Sequence, residues 1–250
     1  MTRQWLTFVT AGVVSCLALT AMGAAAAQEP TLADVLKKAD SARGNAAGLQ
    51  WTVKMVEVGA KVDEEPTTLL VKVKGENSFA IFLEPTSSKG QKMLMKKNNM
   101  WFIKPGVSKP VSISPRQKLM GGAANADIAS TNYAGDYEPT VSGKEAVDGV
   151  ECQIFDLKGK SKNVTYDQIK YWVSVDRSLG LKAEFYSVSG KLLKTAFFKY
   201  EQTVPVDGKP SPFVSEMRIQ DAVVKDTETV MSYSDVKLAD IPDSEFILQN

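Results

Sequence analysis

Apolar and polar residues alternate along much of the chain in short runs, and this period of two restricts the possible folds most. Over residues 49–55, leucine, tryptophan, valine and methionine occupy every second position, with polar side chains between them. Residues 69–73 repeat the pattern with leucine and valine. Because successive side chains of a β-strand point to opposite faces, the alternation predicts strands with one apolar and one wet face.

The rest of the chain continues the series, with turn signals such as Asp148-Gly149 and Ser189-Gly190-Lys191 between the runs. Further strands are predicted at residues 93–95, 101–103, 154–157, 171–175, 181–186, 192–200, 213–219 and 223–233. Strands at such short spacing predict a mainly β protein (α+β) with a meandering antiparallel sheet, folded as a sandwich or a barrel.

One segment near the start has helical spacing instead. Thr31 has the character of an N-cap residue, and apolar residues follow it on one helical stripe. The stripe consists of Leu32, Val35, Leu36 and Ala39. We therefore predict one amphipathic helix over residues 31–43.

Residues 115–137 follow neither period. They contain Gly121-Gly122 and five alanines and show little alternation. An unstructured loop of this length is unusual inside a compact domain, so we expect either a functional loop or a short helix on the sheet, with a helical turn at residues 127–130. This is the most lid-like part of the chain.

The first 27 residues have the form of an export signal. Arg3 is the only charged side chain before Glu29, and an apolar stretch ends in small residues up to Ala27. This order predicts cleavage of residues 1–27, leaving residues 28–250 as a single domain in the periplasm of a Gram-negative-type envelope. Two alternatives stay open: a retained membrane helix, and a lipid anchor at Cys16, which ends a lipobox-like run.

The composition excludes most kinds of catalytic and metal-binding site. The chain has no histidine, which is the commonest general base and a usual zinc ligand, and cleavage would leave Cys152 as its single cysteine. We therefore predict no catalytic residue, no metal site and no cofactor. Without Arg3 the 30 basic residues become 29 and equal the 29 acidic ones, so no general attraction to nucleic acid is expected.

Several short motifs follow one another between residues 83 and 201. They are Leu83-Glu84-Pro85, Asn99-Met100-Trp101-Phe102-Ile103-Lys104-Pro105, Leu119-Met120-Gly121-Gly122, Tyr171-Trp172-Val173 and Phe198-Lys199-Tyr200. Their order resembles the LolA-like family of outer-membrane lipoprotein-sorting proteins, which is related to the LolA and LolB carriers. The resemblance implies a single unclosed antiparallel β-barrel, or strongly curved sheet, with short helices on its concave side. It also implies a hydrophobic cavity for acyl chains, and an inner-membrane transporter or outer-membrane acceptor as partner.

This chain departs from the family where Met120-Gly121-Gly122-Ala123-Ala124 replaces a shorter and more polar run, and in the few basic residues of segment 104–115. The cargo is therefore expected to be a lipid or a lipidated protein, and the sequence does not decide between the two. The carrier is expected to be a monomer.

The alternating strands supply flexible methionines and phenylalanines, which suit an adaptable apolar cavity. The predicted cavity residues are Trp51, Val53, Met55, Val71, Phe79, Ile81, Met93, Met95, Trp101, Ile103, Phe185, Phe198 and Met217. A carboxylate introduced at position 51 or 95 is expected to abolish ligand uptake. Two other functions stay open: a non-enzymatic adaptor of an envelope export complex with a solid core, and a hydrolase that uses a carboxylate pair.

Overall fold

A computed structural model describes residues 1–2, 30–45, 48–59, 64–107, 109–129, 131–206 and 208–248. The predicted signal segment, apart from its first two residues, lies outside the described residues, and so does Cys16. Among the helices that the structure describes, none is long and apolar enough to cross a membrane.

Strands dominate the described ranges, and all their pairings are antiparallel. The strands of the first half are β1 (Leu49–Gly59), β2 (Thr67–Lys74), β3 (Asn77–Glu84), β4 (Lys92–Lys96), β5 (Asn99–Ile103), β6 (Val111–Ile113), β7 (Lys118–Met120) and β8 (Ala123–Ala124). Those of the second half are β9 (Tyr137–Val147), β10 (Val150–Gly159), β11 (Gln168–Ser174), β12 (Gly180–Tyr186), β13 (Leu192–Lys199), β14 (Gln202–Val206), β15 (Lys209–Phe213), β16 (Glu216–Asp221) and β17 (Thr227–Leu238). The helices are α1 (Leu32–Ser41) and α2 (Tyr133–Asp136), with 3-10 turns at Asn125–Ile128 and Asp243–Phe246.

Thirteen strands form one sheet in the order β6-β5-β4-β3-β2-β1-β17-β16-β13-β12-β11-β10-β9. Most neighbours in the sheet are also neighbours in sequence, as expected for a meander of hairpins. β1 pairs with β17 and so joins the two halves of the chain. In the part of the chain that the structure describes, β6 and β9 are the unpaired ends, so the sheet is not closed. The prediction of an unclosed antiparallel sheet is confirmed.

The predicted helix is present as α1. Thr31 caps it: the Thr31 hydroxyl accepts a hydrogen bond from the Asp34 backbone N–H (3.2 Å), and the Asp34 carboxylate accepts one from the Thr31 N–H (3.2 Å). Leu36 and Ala39 are fully buried, whereas Leu32 is at the exposed margin of the stripe. The helix ends at Ser41 rather than residue 43, and Gly44 follows with a positive φ of 100°, which favours glycine.

The two faces of the sheet are covered by different parts of the chain. We call the face that contacts α1 the inner face, because most of the buried apolar residues lie there in one cluster. On the outer face, residues 239–248 form a C-terminal strap over β3, β4 and β5. Two ion pairs hold the strap, Lys72–Glu245 (2.7 Å) and Lys74–Asp243 (2.8 Å).

Candidate functional site

Eight of the thirteen predicted cavity residues lie together in the inner cluster, and each is at least 95% buried. They are Trp51, Val53, Met55, Val71, Met93, Phe185, Phe198 and Met217. Met95 is on the same face of β4 as Met93, but it is only half-buried and borders a cavity. That these side chains bind a ligand stays a prediction.

The other four predicted residues lie on the outer face, so their placement in the inner cavity is corrected. Phe79 belongs to the cluster under the C-terminal strap, and Ile81, Trp101 and Ile103 pack against that cluster. Residues 79–83 are apolar at adjacent positions, and both faces of β3 are covered, so alternation does not reveal which face is inner. The inner positions of this strand are Ala80 and Phe82.

The inner face is covered by α1, by the β14–β15 hairpin and by residues 115–137, which we call the insert. Its buried residues include Met120, Ala123 and Ile128, which belong to the inner cluster. A 3-10 turn is present at Asn125–Ile128, two residues before the predicted bounds of 127–130. The described residues of the insert, 115–129 and 131–137, are therefore packed on the sheet.

A buried ion pair anchors the insert to the sheet. The Lys194 ammonium on β13 contacts the Asp127 carboxylate of the insert, and both side chains are only 5% exposed. Asp127 also accepts hydrogen bonds from the Tyr166 hydroxyl (3.0 Å) and from the Ala124 backbone N–H (2.6 Å). Lys194 donates to the carbonyl oxygen of Gly122 (3.2 Å). Sequence reasoning missed this pair, because its members are 67 residues apart and neither lies in a recognisable motif.

A cavity of about 240 Å³ lies where the insert meets the end of α1 and the β4–β5 turn. Its lining is mostly polar: Arg43, Glu76, Met95, Lys97, Asn98, Ala126, Asp127, Thr131, Asn132, Tyr133, Asp136, Tyr137, Thr165 and Tyr166. Small-molecule sites usually enclose roughly 300–1,000 Å³. The cavity is therefore suited to a small polar group, and side chains of the protein itself fill the apolar part of the interior.

The Arg43 side chain lies between this cavity and the inner cluster. Its guanidinium is 4.2 Å from the ring centroid of Phe198, and it donates a hydrogen bond to the Tyr133 hydroxyl (3.3 Å). Its other contact is a weak one to the Met217 sulfur at 4.0 Å. Sequence reasoning placed Arg43 only at the exit of the helix, because nothing in the local pattern shows that a charged residue there is buried.

Comparisons with known proteins agree with this architecture. A family model described as "Uncharacterized protein" matches residues 74–250. The crystal structure of a LolA superfamily protein from Nitrosomonas europaea is 36% identical with a TM-score of 0.75, and the alignment covers 85% of this chain and 96% of that one. This chain belongs to the LolA superfamily. The resemblance noted from the motifs is thus confirmed.

Two more distant crystal structures share the fold of this LolA-superfamily chain. A DUF1329 family protein from Desulfovibrio piger is 23% identical with a TM-score of 0.70, and the alignment covers 86% of this chain and 95% of that one. A domain from Vibrio parahaemolyticus, named for outer membrane lipoprotein sorting, is 19% identical with a TM-score of 0.72 and the same coverage. A search of curated proteins finds no match.

In this LolA-superfamily protein, α1 and the insert also meet at a buried carboxyl group. Asp40 is 1% exposed, and its Oδ2 accepts a hydrogen bond from the Ala134 backbone N–H (2.9 Å) at the start of α2. Burial raises the pKa of Asp40 to about 7, although that hydrogen bond and the charge of Arg43 act in the opposite direction. Asp40 is therefore largely protonated at mildly acidic pH and ionised at alkaline pH.

Asp40 is expected to make the protein less stable as pH rises. Between its ordinary pKa of 3.8 and its folded pKa of about 7, the folded protein keeps a proton that the unfolded chain releases. Stability then falls by about 1.4 kcal/mol per pH unit across this window. Asp40→Asn keeps an acceptor for Ala134 and removes the titration. Denaturant unfolding from pH 4 to 8 measures the difference between the two proteins, and equal slopes would contradict the assignment.

Proposed function

We propose that this protein carries the acyl chains of lipids or lipidated proteins on the inner face of its sheet and passes them through the periplasm toward the outer membrane. The observation that supports this most is how the inner face is covered. Short segments lie over it in place of a second large sheet: α1, the insert and the two-stranded β14–β15 hairpin. Membership of the LolA superfamily supports the same function, and the proposal requires no catalytic residue.

In this proposal the cargo takes the place of the insert. The insert contributes Met120, Ala123, Ile128, Tyr133 and Tyr137 to the inner cluster, so its removal would uncover the apolar surface beneath them. The surface below contains Phe198 together with Met55 and Met217, and the flexible methionine side chains adapt to variable apolar shapes. Burial of about ten methylenes contributes roughly 8 kcal/mol, which offsets part of the cost of releasing the insert.

A second function is favoured by the small cavity. The cavity beside the insert has a volume of about 240 Å³, which is too small for a long acyl chain. A superfamily member with a permanently filled interior would serve as an adaptor that docks on an envelope export complex. In that case the buried methionines and phenylalanines are an ordinary core.

Lipid binding separates the two functions. We expect the purified protein to release co-purified acyl lipids on solvent extraction, detectable by mass spectrometry, and to bind a fluorescent fatty acid saturably. Hydrogen exchange gives the second measurement: cargo should increase exchange in the insert and leave α1 and the central strands protected. Absence of any acyl ligand, with unchanged exchange and a stable complex in pull-down from envelope extracts, would favour the adaptor.

A further inference from the structure

The Arg43 guanidinium is a buried cation without an ion-pair partner among the residues that the structure describes, although it is near enough to the buried Asp40 carboxyl to lower the pKa of that group. The whole residue is only 6% exposed, yet no carboxylate of those residues lies within 4.0 Å of it. A guanidinium has five N–H donors, and the two described acceptors are the Tyr133 hydroxyl and the Met217 sulfur, a weak acceptor. Contact with the Phe198 ring offsets only part of the desolvation of such a charge.

Two more donors border the same cavity. The Thr131 hydroxyl is buried and makes no hydrogen bond of ordinary geometry among the described residues, although it lies close enough to the Asp40 carboxyl to lower its pKa. The Tyr133 hydroxyl accepts a hydrogen bond from Arg43, which leaves its own proton available. Burial raises the pKa of Tyr133, so this proton is retained. Arg43, Thr131 and Tyr133 therefore offer a cation and two hydroxyl donors around one small space.

Three carboxyl groups, those of Glu76, Asp127 and Asp136, also line this cavity, and each has a partner within the protein. Asp127 is paired with Lys194, and Glu76 accepts a hydrogen bond from the Asn132 amide (3.1 Å). Asp136 is near Lys160, whose charge opposes the rise in the Asp136 pKa that burial causes. Lys97 adds a further positive charge to the lining.

Arg43 also marks the boundary between polar and apolar surroundings. On one side its guanidinium borders the polar cavity, and on the other it contacts Phe198 and Met217 of the inner cluster. A ligand with an anionic head and an acyl tail matches this arrangement, because the head fits the cavity while the tail follows the inner face. Resting on the carrier function proposed above, we infer that the cavity binds the anionic oxygens of an acyl amphiphile, a carboxylate or a phosphate, through Arg43, Thr131 and Tyr133.

Calorimetric titration with three ligands of equal chain length tests this site: dodecanoate, dodecyl phosphate and dodecanol, at a pH where the fatty acid is ionised. We expect at least one anionic ligand to bind about tenfold to a hundredfold more tightly than the alcohol, because a charged hydrogen bond at a buried cation is strong. Arg43→Gln should bring the ratio of the anionic ligand's affinity to that of the alcohol close to one, and Tyr133→Phe should reduce the ratio less. A stronger effect for dodecanoate identifies a free fatty acid, and for dodecyl phosphate a phospholipid head group.

The outcomes separate this inference from the carrier function. If the alcohol binds as tightly as both anions to the unaltered protein, the head-group site is wrong and the carrier function stands. If none of the three ligands binds, the carrier function itself fails. Should Arg43→Gln not fold, the comparison of the three ligands on the unaltered protein still decides, because it needs no variant.

Discussion

Replacement of Lys194 by methionine is expected to lower the free energy of unfolding by about 3–5 kcal/mol, because it leaves the Asp127 carboxylate buried without its cation. The remaining donors to Asp127, the Tyr166 hydroxyl and the Ala124 N–H, are hydrogen-bonding groups without a net charge. Methionine fills much of the space of the lysine stem, so loss of packing is a small part of the effect. Chemical denaturation followed by circular dichroism measures the change.

Two further variants show whether the charge is the cause. Lys194→Met combined with Asp127→Asn removes both charges and keeps the acceptor for Tyr166, so it should recover most of the lost stability. Lys144→Met breaks a pair of ordinary length, 2.8 Å to Glu151, whose side chains are both 63% exposed. It should cost no more than about 1 kcal/mol. Equal losses for Lys194→Met and Lys144→Met would mean that the buried pair does not anchor the insert.

The same pair connects stability with cargo binding. If an acyl chain displaces the insert, part of its binding free energy is used to separate Asp127 from Lys194. Lys194→Met, which leaves Asp127 without its cation and so weakens the insert, should then bind acyl ligands more tightly than the unaltered protein, whereas the double variant should bind them about as tightly. An adaptor with a permanent core would show no such gain.

The alternation of apolar and polar residues was sufficient to predict the sheet. One face of most strands is exposed to solvent, and the period of two is then clear in the sequence. It failed at Phe79, Ile81, Trp101 and Ile103, where the C-terminal strap covers the outer face as well. A strand that is buried on both sides has no alternation from which its inner face can be chosen. The strap lies more than 130 residues further along the sequence, so no local pattern in these strands predicts that it covers them.

The insert and its surroundings were the least predictable part of the site. The glycines and alanines of residues 115–137 indicated a special segment but not whether it is loose or packed. Its anchoring depends on Lys194 and Tyr166, which come close to Asp127 only after the sheet has formed. The sequence pattern likewise predicts Asp40 and Arg43 to be ordinary surface residues of a helix. Both are buried only by tertiary contacts.

Trp51→Asp is expected to unfold the protein, rather than abolish uptake in a folded carrier as sequence reasoning suggested. Trp51 is 1% exposed, and the centroid of its ring lies 5.4 Å from that of Phe213. Gly44 packs directly on the indole, since a Cβ atom at position 44 would lie only 2.6 Å from the ring. Loss of a buried tryptophan costs about 3–5 kcal/mol, and an unpaired carboxylate adds more. The sum approaches the whole stability of a typical domain, roughly 5–15 kcal/mol.

Met95→Asp separates binding from folding, because Met95 is half-buried at the cavity and the new carboxylate stays partly hydrated. We expect this variant to unfold near the denaturant midpoint of the unaltered protein but to bind a fluorescent fatty acid at least about tenfold more weakly, since an acyl chain beside it would desolvate the charge. Met95→Ala, which removes the same side chain without adding charge, should lose less affinity. A folded Met95→Asp protein with full affinity would show that the acyl chain does not pass β4, and the cargo path would then have to lie under β10 to β13, where Phe155, Phe185 and Phe198 form the inner face.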